Sequence, residues 1–176
     1  RKGHFMKEKL QEYITKNYLP DIKVRSKKSN IITNDLDNKK LSKAYYTNEY
    51  QTSKIESFIN KSITSTSFQE LLFKYIDERN LKDSDVYNKV HIDRRLFSKI
   101  RSNNQYHPSK DTIILLGLSL KLNENEMEEL LNSASYSLPK NNIYDLIIRF
   151  CFVEKIYDIK DVNELLATYN CKLFSY

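Results

Sequence analysis

The fold is decided by residues 83–103, which read DSDVYNKVHIDRRLFSKIRSN. This stretch holds two short segments with apolar residues at helical spacing, separated by a tight turn. Val86 belongs to the first segment, Ile92 ends the turn, and Phe97 and Ile100 belong to the second. Apolar side chains at these positions are the ones needed to lock two short helices at a steep angle. The pattern therefore predicts a helix-turn-helix.

Polar residues mark where these two helices begin. We expect Asp83 or Ser84 to cap the first helix and Asp93 to cap the second. The second helix, at 94–102, is then exposed on its outer side. Arginine and lysine there suit phosphate oxygens and guanine edges. The outer face is expected to carry Arg94, Arg95, Ser98, Lys99 and Ser102.

Further helices are predicted around this pair. Ser67 with Glu70, and Asn123 with Glu126, form capping boxes that predict two helix starts. Asn80 is expected to end the first of these helices in a left-handed conformation. No segment alternates with period two for long enough to predict a strand. The predicted fold class is an all-α helical bundle that contains the helix-turn-helix, with other helices after Ser109 and over about 142–154 and 159–169.

The first 66 residues differ from the rest in charge. They hold 14 of the 29 basic and 7 of the 23 acidic side chains of a chain with net charge +6. Residues 1–20 are predicted to be a tag remnant, at 1–5, followed by an amphipathic helix that ends at Pro20 and packs on the body or on a second copy. Residues 21–66 are predicted to be a basic linker or arm, partly irregular. Residues 67–176 are predicted to be the helical domain, with the helix-turn-helix at 83–102.

Catalytic and metal-binding chemistry find little support in the sequence. Cys151 and Cys171 are too few and too far apart for a metal site or a disulfide framework, and we expect reduced thiols in a cytoplasmic protein. His91 and His107 lie in a predicted turn and loop with no triad partners. No apolar run reaches the roughly 18 residues that a membrane span needs. We therefore expect a non-enzymatic protein with no catalytic residues, no metal and no cofactor.

Two resemblances extend this interpretation. Residues 81–103, LKDSDVYNKVHIDRRLFSKIRSN, followed by PSKDTIILLGLSLKL at 108–122, resemble the Cro/C1-type (phage-repressor-like) helix-turn-helix. A closer likeness, over residues 67 to about 174, is to a bacterial helical module of poorly defined role that also occurs C-terminal to macro domains. Repressors of the first type usually carry Gln where Asp83 stands and Gly where His91 stands.

The resemblance and the basic face together imply a repressor-like transcriptional regulator that binds double-stranded DNA. Arg94, Arg95, Ser98 and Lys99 are expected to enter the major groove. Ser102, on the same outer face, is expected to be a further DNA-binding residue. The basic linker would add non-specific attraction. A homodimer is expected, joined through the helices after Pro139 or through the helix at 6–18. The residues expected to hold the DNA backbone are Lys89, Arg101, Asn103 and Lys110.

Two other interpretations stay open. The same fold can serve as a protein–protein interaction adaptor, for instance in a phage-defence or toxin-regulating system, and Asp83 in place of Gln favours this. The basic face can also be a solvated surface that pairs with the acidic helix at 124–129.

Overall fold

The computed structural model describes residues 2–19, 54–58 and 66–175, and within these ranges its regular secondary structure is entirely helical. The all-α prediction is therefore confirmed. Of the linker predicted at 21–66, only residues 54–58 and 66 are among the described residues. The helices are α1 (Lys2–Asn17), a short helical segment at 54–58, α2 (Phe68–Glu78), α3 (Asp83–Lys89), α4 (Arg94–Ser102), α5 (Lys110–Leu120), α6 (Glu124–Ser133), α7 (Ile143–Val153) and α8 (Ile159–Thr168).

The chain divides into two compact units. The larger joins residues 1–21 to 66–176, and the smaller is 22–65. Of the smaller unit the structure describes only the helical segment at 54–58, where the side chains of Ile55 and Phe58 are exposed. All interactions described below lie within the larger unit.

Side-chain caps define most of the helix starts, as the sequence predicts. Ser67 caps α2 and Asn123 caps α6, each in a complete capping box with the glutamate three residues later. The Asp93 carboxylate accepts hydrogen bonds from the backbone amides of Arg95 and Leu96 at the start of α4. Each such cap satisfies backbone donors that the helix leaves open.

The predicted cap of α3 is wrong. Lys82 occupies the cap position with an extended backbone and makes no side-chain capping bond, so that Asp83 is already the first helical residue. The Asp83 carboxylate turns instead to Arg101, 2.5 Å away on α4. An acidic side chain in the first turn still complements the positive end of the helix dipole.

Left-handed residues close several helices in a chain that has only two glycines. Asn80, after α2, has φ 51°, which confirms the prediction for that residue. His91 has φ 54° in the turn between α3 and α4, and the amide of Ile92 then donates to Tyr87 O, 2.9 Å away. This bond reaches back five residues, as in the Schellman type of helix end. A non-glycine residue therefore makes this turn in a left-handed conformation.

The apolar stripe of α1 packs on the body of the same chain. Leu10 is fully buried, and the ring of Tyr13 lies 5.4 Å from that of Phe150 on α7. The helix contacts α7 and α8. Of the two packing surfaces that the sequence left open, the structure shows the body. The stripe is thus covered, and it is not free to join two copies.

Helix α5 is the centre of the larger unit. Its apolar residues between Ile113 and Leu120 are buried, with only Leu115 partly exposed. The helix packs against α3 on one side and α6 on another, while α2 packs on α6. The central helix therefore connects the α3–α4 pair to the rest of the bundle.

Candidate nucleic-acid interface

The inner sides of α3 and α4 are buried as the sequence predicts. Val86, Ile92, Phe97 and Ile100 are each at most 7% exposed. Such burial fixes both the position and the rotation of a short helix, which would not be stable alone. The side of α4 that remains exposed is therefore determined by Phe97 and Ile100.

Hydrogen bonds at both ends hold this helix pair to the bundle. The Ser119 hydroxyl on α5 donates to Val86 O on α3 at 2.6 Å. The Gln69 amide on α2 donates to Ile100 O at 2.9 Å and to Asn103 O at 2.5 Å. These bonds satisfy the carbonyls at the end of α4, which no intrahelical donor reaches. The pair is thus fixed to α5 and α2.

The amino-terminal half of α4 presents an uncompensated basic surface. Arg94, Arg95 and Ser98 are exposed. Neither arginine makes an ion pair with any residue that the structure describes. Ser102 is exposed as well, near the end of the helix. Their donors are therefore free to meet an anionic partner.

Two other cations of α4 rest on aromatic rings. The ammonium of Lys99 lies 4.4 Å from the centre of the Tyr106 ring. The guanidinium of Arg101 lies 4.1 Å from the centre of the Phe73 ring and also contacts Asp83. Cation–π contacts of this kind orient a charged group without cancelling its charge. Lys99 thus keeps its charge, whereas Asp83 compensates that of Arg101.

Lys89 and Lys110 make intramolecular contacts. The Lys89 ammonium donates to Ser119 O at 3.1 Å, and desolvation, followed by the positive charge of Lys121, lowers its pKa. Lys110 forms a 2.6 Å ion pair with Asp145, which is almost fully buried. The structure therefore separates these two lysines from the rest of the predicted backbone-contact set. Of that set, Arg101 and Asn103 remain exposed beside the α4 face.

The glutamates of α6 pair with cations outside α4. Arg149 on α7 lies 2.7 Å from Glu124 and 3.5 Å from Glu128. Arg79, which follows α2, lies 2.8 Å from Glu126. The proposal that the basic face of α4 pairs with this acidic helix is therefore wrong. The sequence suggested this pairing only because the two helices have opposite charge, and tertiary packing places the glutamates against other helices.

The residues with catalytic or ligating potential are placed in structural contacts. His107 has a ring nitrogen 2.7 Å from Ala134 O, and Cys151 is buried. Across residues 2–19, 54–58 and 66–175, no group of three histidine, cysteine or acidic side chains could hold a metal ion. In the same ranges no helix is both long and apolar enough to cross a membrane.

Sequence reasoning missed the partners of the basic cluster. Phe73 under Arg101 and Tyr106 under Lys99 belong to α2 and to a loop, and Asp83 lies 18 residues from Arg101. None of these separations leaves a local pattern. Only the aromatic character of the two rings, which can support a guanidinium or an ammonium, offered a signal.

No protein-family model, curated protein or solved structure matches the chain. The likeness to phage-repressor-type domains thus stays a hypothesis that rests on the residues quoted above.

Proposed function

We propose that this chain is a non-enzymatic DNA-binding protein, a repressor-like transcriptional regulator that inserts α4 into the major groove. The observation that carries the proposal is the uncompensated surface of Arg94, Arg95 and Ser98 on a short helix whose other side is buried. A helix of this kind presents donors to base edges in a groove about 12 Å wide. The turn before α4 supports a helix-turn-helix arrangement.

The exposed residues divide by their position on α4. We assign Arg94, Arg95, Ser98 and Lys99 to the groove, since they lie toward the start of the helix, which recognition helices direct at the bases. Arg101, Ser102 and Asn103 follow at its end and are assigned to the phosphate backbone. Lys89 and Lys110, in contrast, are not assigned to the DNA interface, because both make contacts within the bundle.

The Asp83 position is compatible with this interface. A free carboxylate at the start of α3 would repel a phosphate, and this position favoured the adaptor interpretation. Arg101 at 2.5 Å offsets that charge. The Asp83–Arg101 pair as a whole therefore adds no net negative charge to the surface. Because Asp93 already accepts the first amides of α4, phosphate contacts there depend on side chains.

The test is binding to random-sequence duplex DNA, followed by fluorescence anisotropy across a salt series. We expect the affinity of the unchanged protein to fall with salt by a slope of about −0.9 per phosphate neutralised. Arg94→Ala with Arg95→Ala should abolish binding at moderate salt, because it removes two exposed cations from the surface that we assign to the DNA. Both side chains are exposed, so the fold should persist, which circular dichroism checks.

The matched control removes the same number of charges elsewhere. Lys140→Ala with Lys160→Ala changes two exposed lysines that make no ion pair within the described part of the chain. We expect this variant to bind DNA nearly as the unchanged protein does. Equal loss in both variants would mean that net charge alone attracts DNA, and unchanged binding by the arginine variant would refute the groove assignment.

A protein adaptor is the outcome favoured if the unchanged protein fails to bind duplex DNA at low salt.

We further propose a homodimer, since recognition of two half-sites is usual for helix-turn-helix repressors. Light scattering at several protein concentrations measures this directly. A monomer mass, both free and on DNA, would contradict the dimer.

A further inference from the structure

A cavity of about 740 Å³ lies where α1 meets α7 and the residues that follow α7. Its lining includes Met6 and Lys9 from α1, Phe150 from α7, and Tyr157 from the loop before α8. Small-molecule sites commonly have volumes of roughly 300–1,000 Å³. The cavity shares no residue with the exposed face of α4, and neither proposal rests on the other.

Three lysines line this cavity without an ion-pair partner. Lys89 comes from α3, whereas Lys121 and Lys155 follow the ends of α5 and α7 in left-handed conformations, with φ 54° and 57°. None of the three forms an ion pair with the residues that the structure describes. Burial and the charge of Lys121 lower the pKa of Lys89, which shows that these two cations repel each other.

The acidic residues of the lining offset part of this positive charge: beyond the Lys9–Glu154 pair, three lysines stand against two carboxylates. Glu154 is paired with Lys9 at 2.9 Å. The Asp158 carboxylate accepts the Lys160 amide, 2.8 Å away, as the cap of α8. Asp161 is the remaining carboxylate of the lining. An anion placed among the three lysines would therefore gain charge-assisted hydrogen bonds and relieve the repulsion between them.

The rest of the lining is apolar and held in place. Phe150 is almost fully buried, and its ring packs against Tyr13. The Tyr157 hydroxyl donates to Leu122 O at 2.9 Å, which fixes the orientation of its ring. Met6 and Ile156 add flexible and branched apolar groups. Such surfaces suit a flat ring, because aromatic and thioether groups both pack favourably on one.

We propose that this cavity binds a small phosphate ester that carries an aromatic ring, a ligand of nucleotide type. Lys89, Lys121 and Lys155 hold the phosphate, and Tyr157 with Met6 contacts the ring. Lys89 belongs to α3, so the ligand would contact the helix that precedes α4.

The test is isothermal titration calorimetry of the full chain with two probes, AMP and phenyl phosphate. Adenosine and inorganic phosphate serve as controls that carry only the ring or only the anion. We expect both probes to bind, and each control to bind about tenfold more weakly or worse. Absence of binding for both probes at millimolar concentration would overturn the proposal. Equal binding of inorganic phosphate would reduce the cavity to a simple anion site, and equal binding of adenosine would remove the lysines from it.

Variants locate the site. Lys121→Gln with Lys155→Gln keeps both side chains polar and removes two charges, and we expect AMP affinity to fall about tenfold or more. Lys140→Gln with Lys160→Gln is the matched control and should bind AMP unchanged. The Arg94→Ala with Arg95→Ala variant should lose DNA and keep AMP. Loss of AMP in that variant would place the phosphate on α4 and refute the cavity site.

Discussion

Replacing Phe97 by alanine tests whether the α3–α4 pair owes its geometry to one buried ring. Phe97 is 2% exposed. Its ring meets that of Phe73 edge-on, with centres 6.3 Å apart, and that of Tyr87 at 5.5 Å. The substitution therefore removes contacts to both α2 and α3. Phe73 in turn contacts the guanidinium of Arg101, so the substitution also weakens the packing beneath the basic face of α4.

The expected loss of stability is large. A buried phenylalanine that becomes alanine costs about 3–5 kcal/mol, through lost burial and the cavity left behind. Two aromatic contacts, each contributing about 0.5–1.5 kcal/mol beyond burial, favour the upper part of that range. Urea unfolding followed by circular dichroism measures it. With a slope of about 2 kcal/mol per molar, the midpoint should fall by roughly 2 M.

A matched control separates burial from the loss of a ring as such. Phe58, in the helical segment at 54–58, is 71% exposed, and Phe58→Ala should change stability by no more than about 0.5 kcal/mol. A loss below about 1 kcal/mol for Phe97→Ala would contradict the register of α4 and, with it, the assignment of its exposed face. A loss in the expected range for both variants would show that burial does not distinguish them.

Two further predictions concern the interior of the bundle. Asp145→Ala should lower the free energy of unfolding by about 2–4 kcal/mol, because the partly buried ammonium of Lys110 loses its partner 2.6 Å away. Urea unfolding measures this loss. A near-neutral result would show that water replaces the carboxylate. Burial raises the pKa of the Cys151 thiol to about 12, so this thiol stays protonated at pH 8. It should therefore resist iodoacetamide in the native protein. The partly exposed Cys171 should react first. Mass spectrometry of the digested protein, with a denatured sample as reference, would contradict this if both cysteines were modified at one rate.

Helix positions were predictable because their signals are local. The boxes at Ser67 and Asn123 each use residues three apart, and Asp93 needs only the amides two and three residues after it. The inward positions Phe97 and Ile100 follow from helical periodicity alone. One local signal failed: the sequence offered Asp83 as a cap, yet that carboxylate binds Arg101 more favourably than its own backbone. A cap prediction weighs only neighbours, and this competitor lies on another helix.

The partners of the cations were not predictable, since they depend on tertiary packing. Arg79 and Glu126 are 47 residues apart, and Lys110 and Asp145 are 35 apart. Net charge in the stretch around α4 made six cations look equivalent. Packing gives these six cations different partners. The cations near helix ends that face the bundle contact carbonyls or carboxylates. Those on the outer face of α4 find rings or solvent.

The difference between paired and unpaired cations decides which basic residues can attract an anionic partner. A basic protein attracts anions generally, but an ion pair removes a cation from that role at short range. Across the described residues, Arg79, Lys110 and Arg149 are used in pairs that hold helices together. Other cations stay unpaired, and two groups of them lie together: one on the face of α4 and one around the cavity beside α1. The first is exposed on a helix, which suits a groove, and the second lines a cavity of about 740 Å³ with both charged and apolar residues, which suits a small ligand. The two partners proposed above, duplex DNA and a small phosphate ester, both depend on cations that have no ion pair within the described residues.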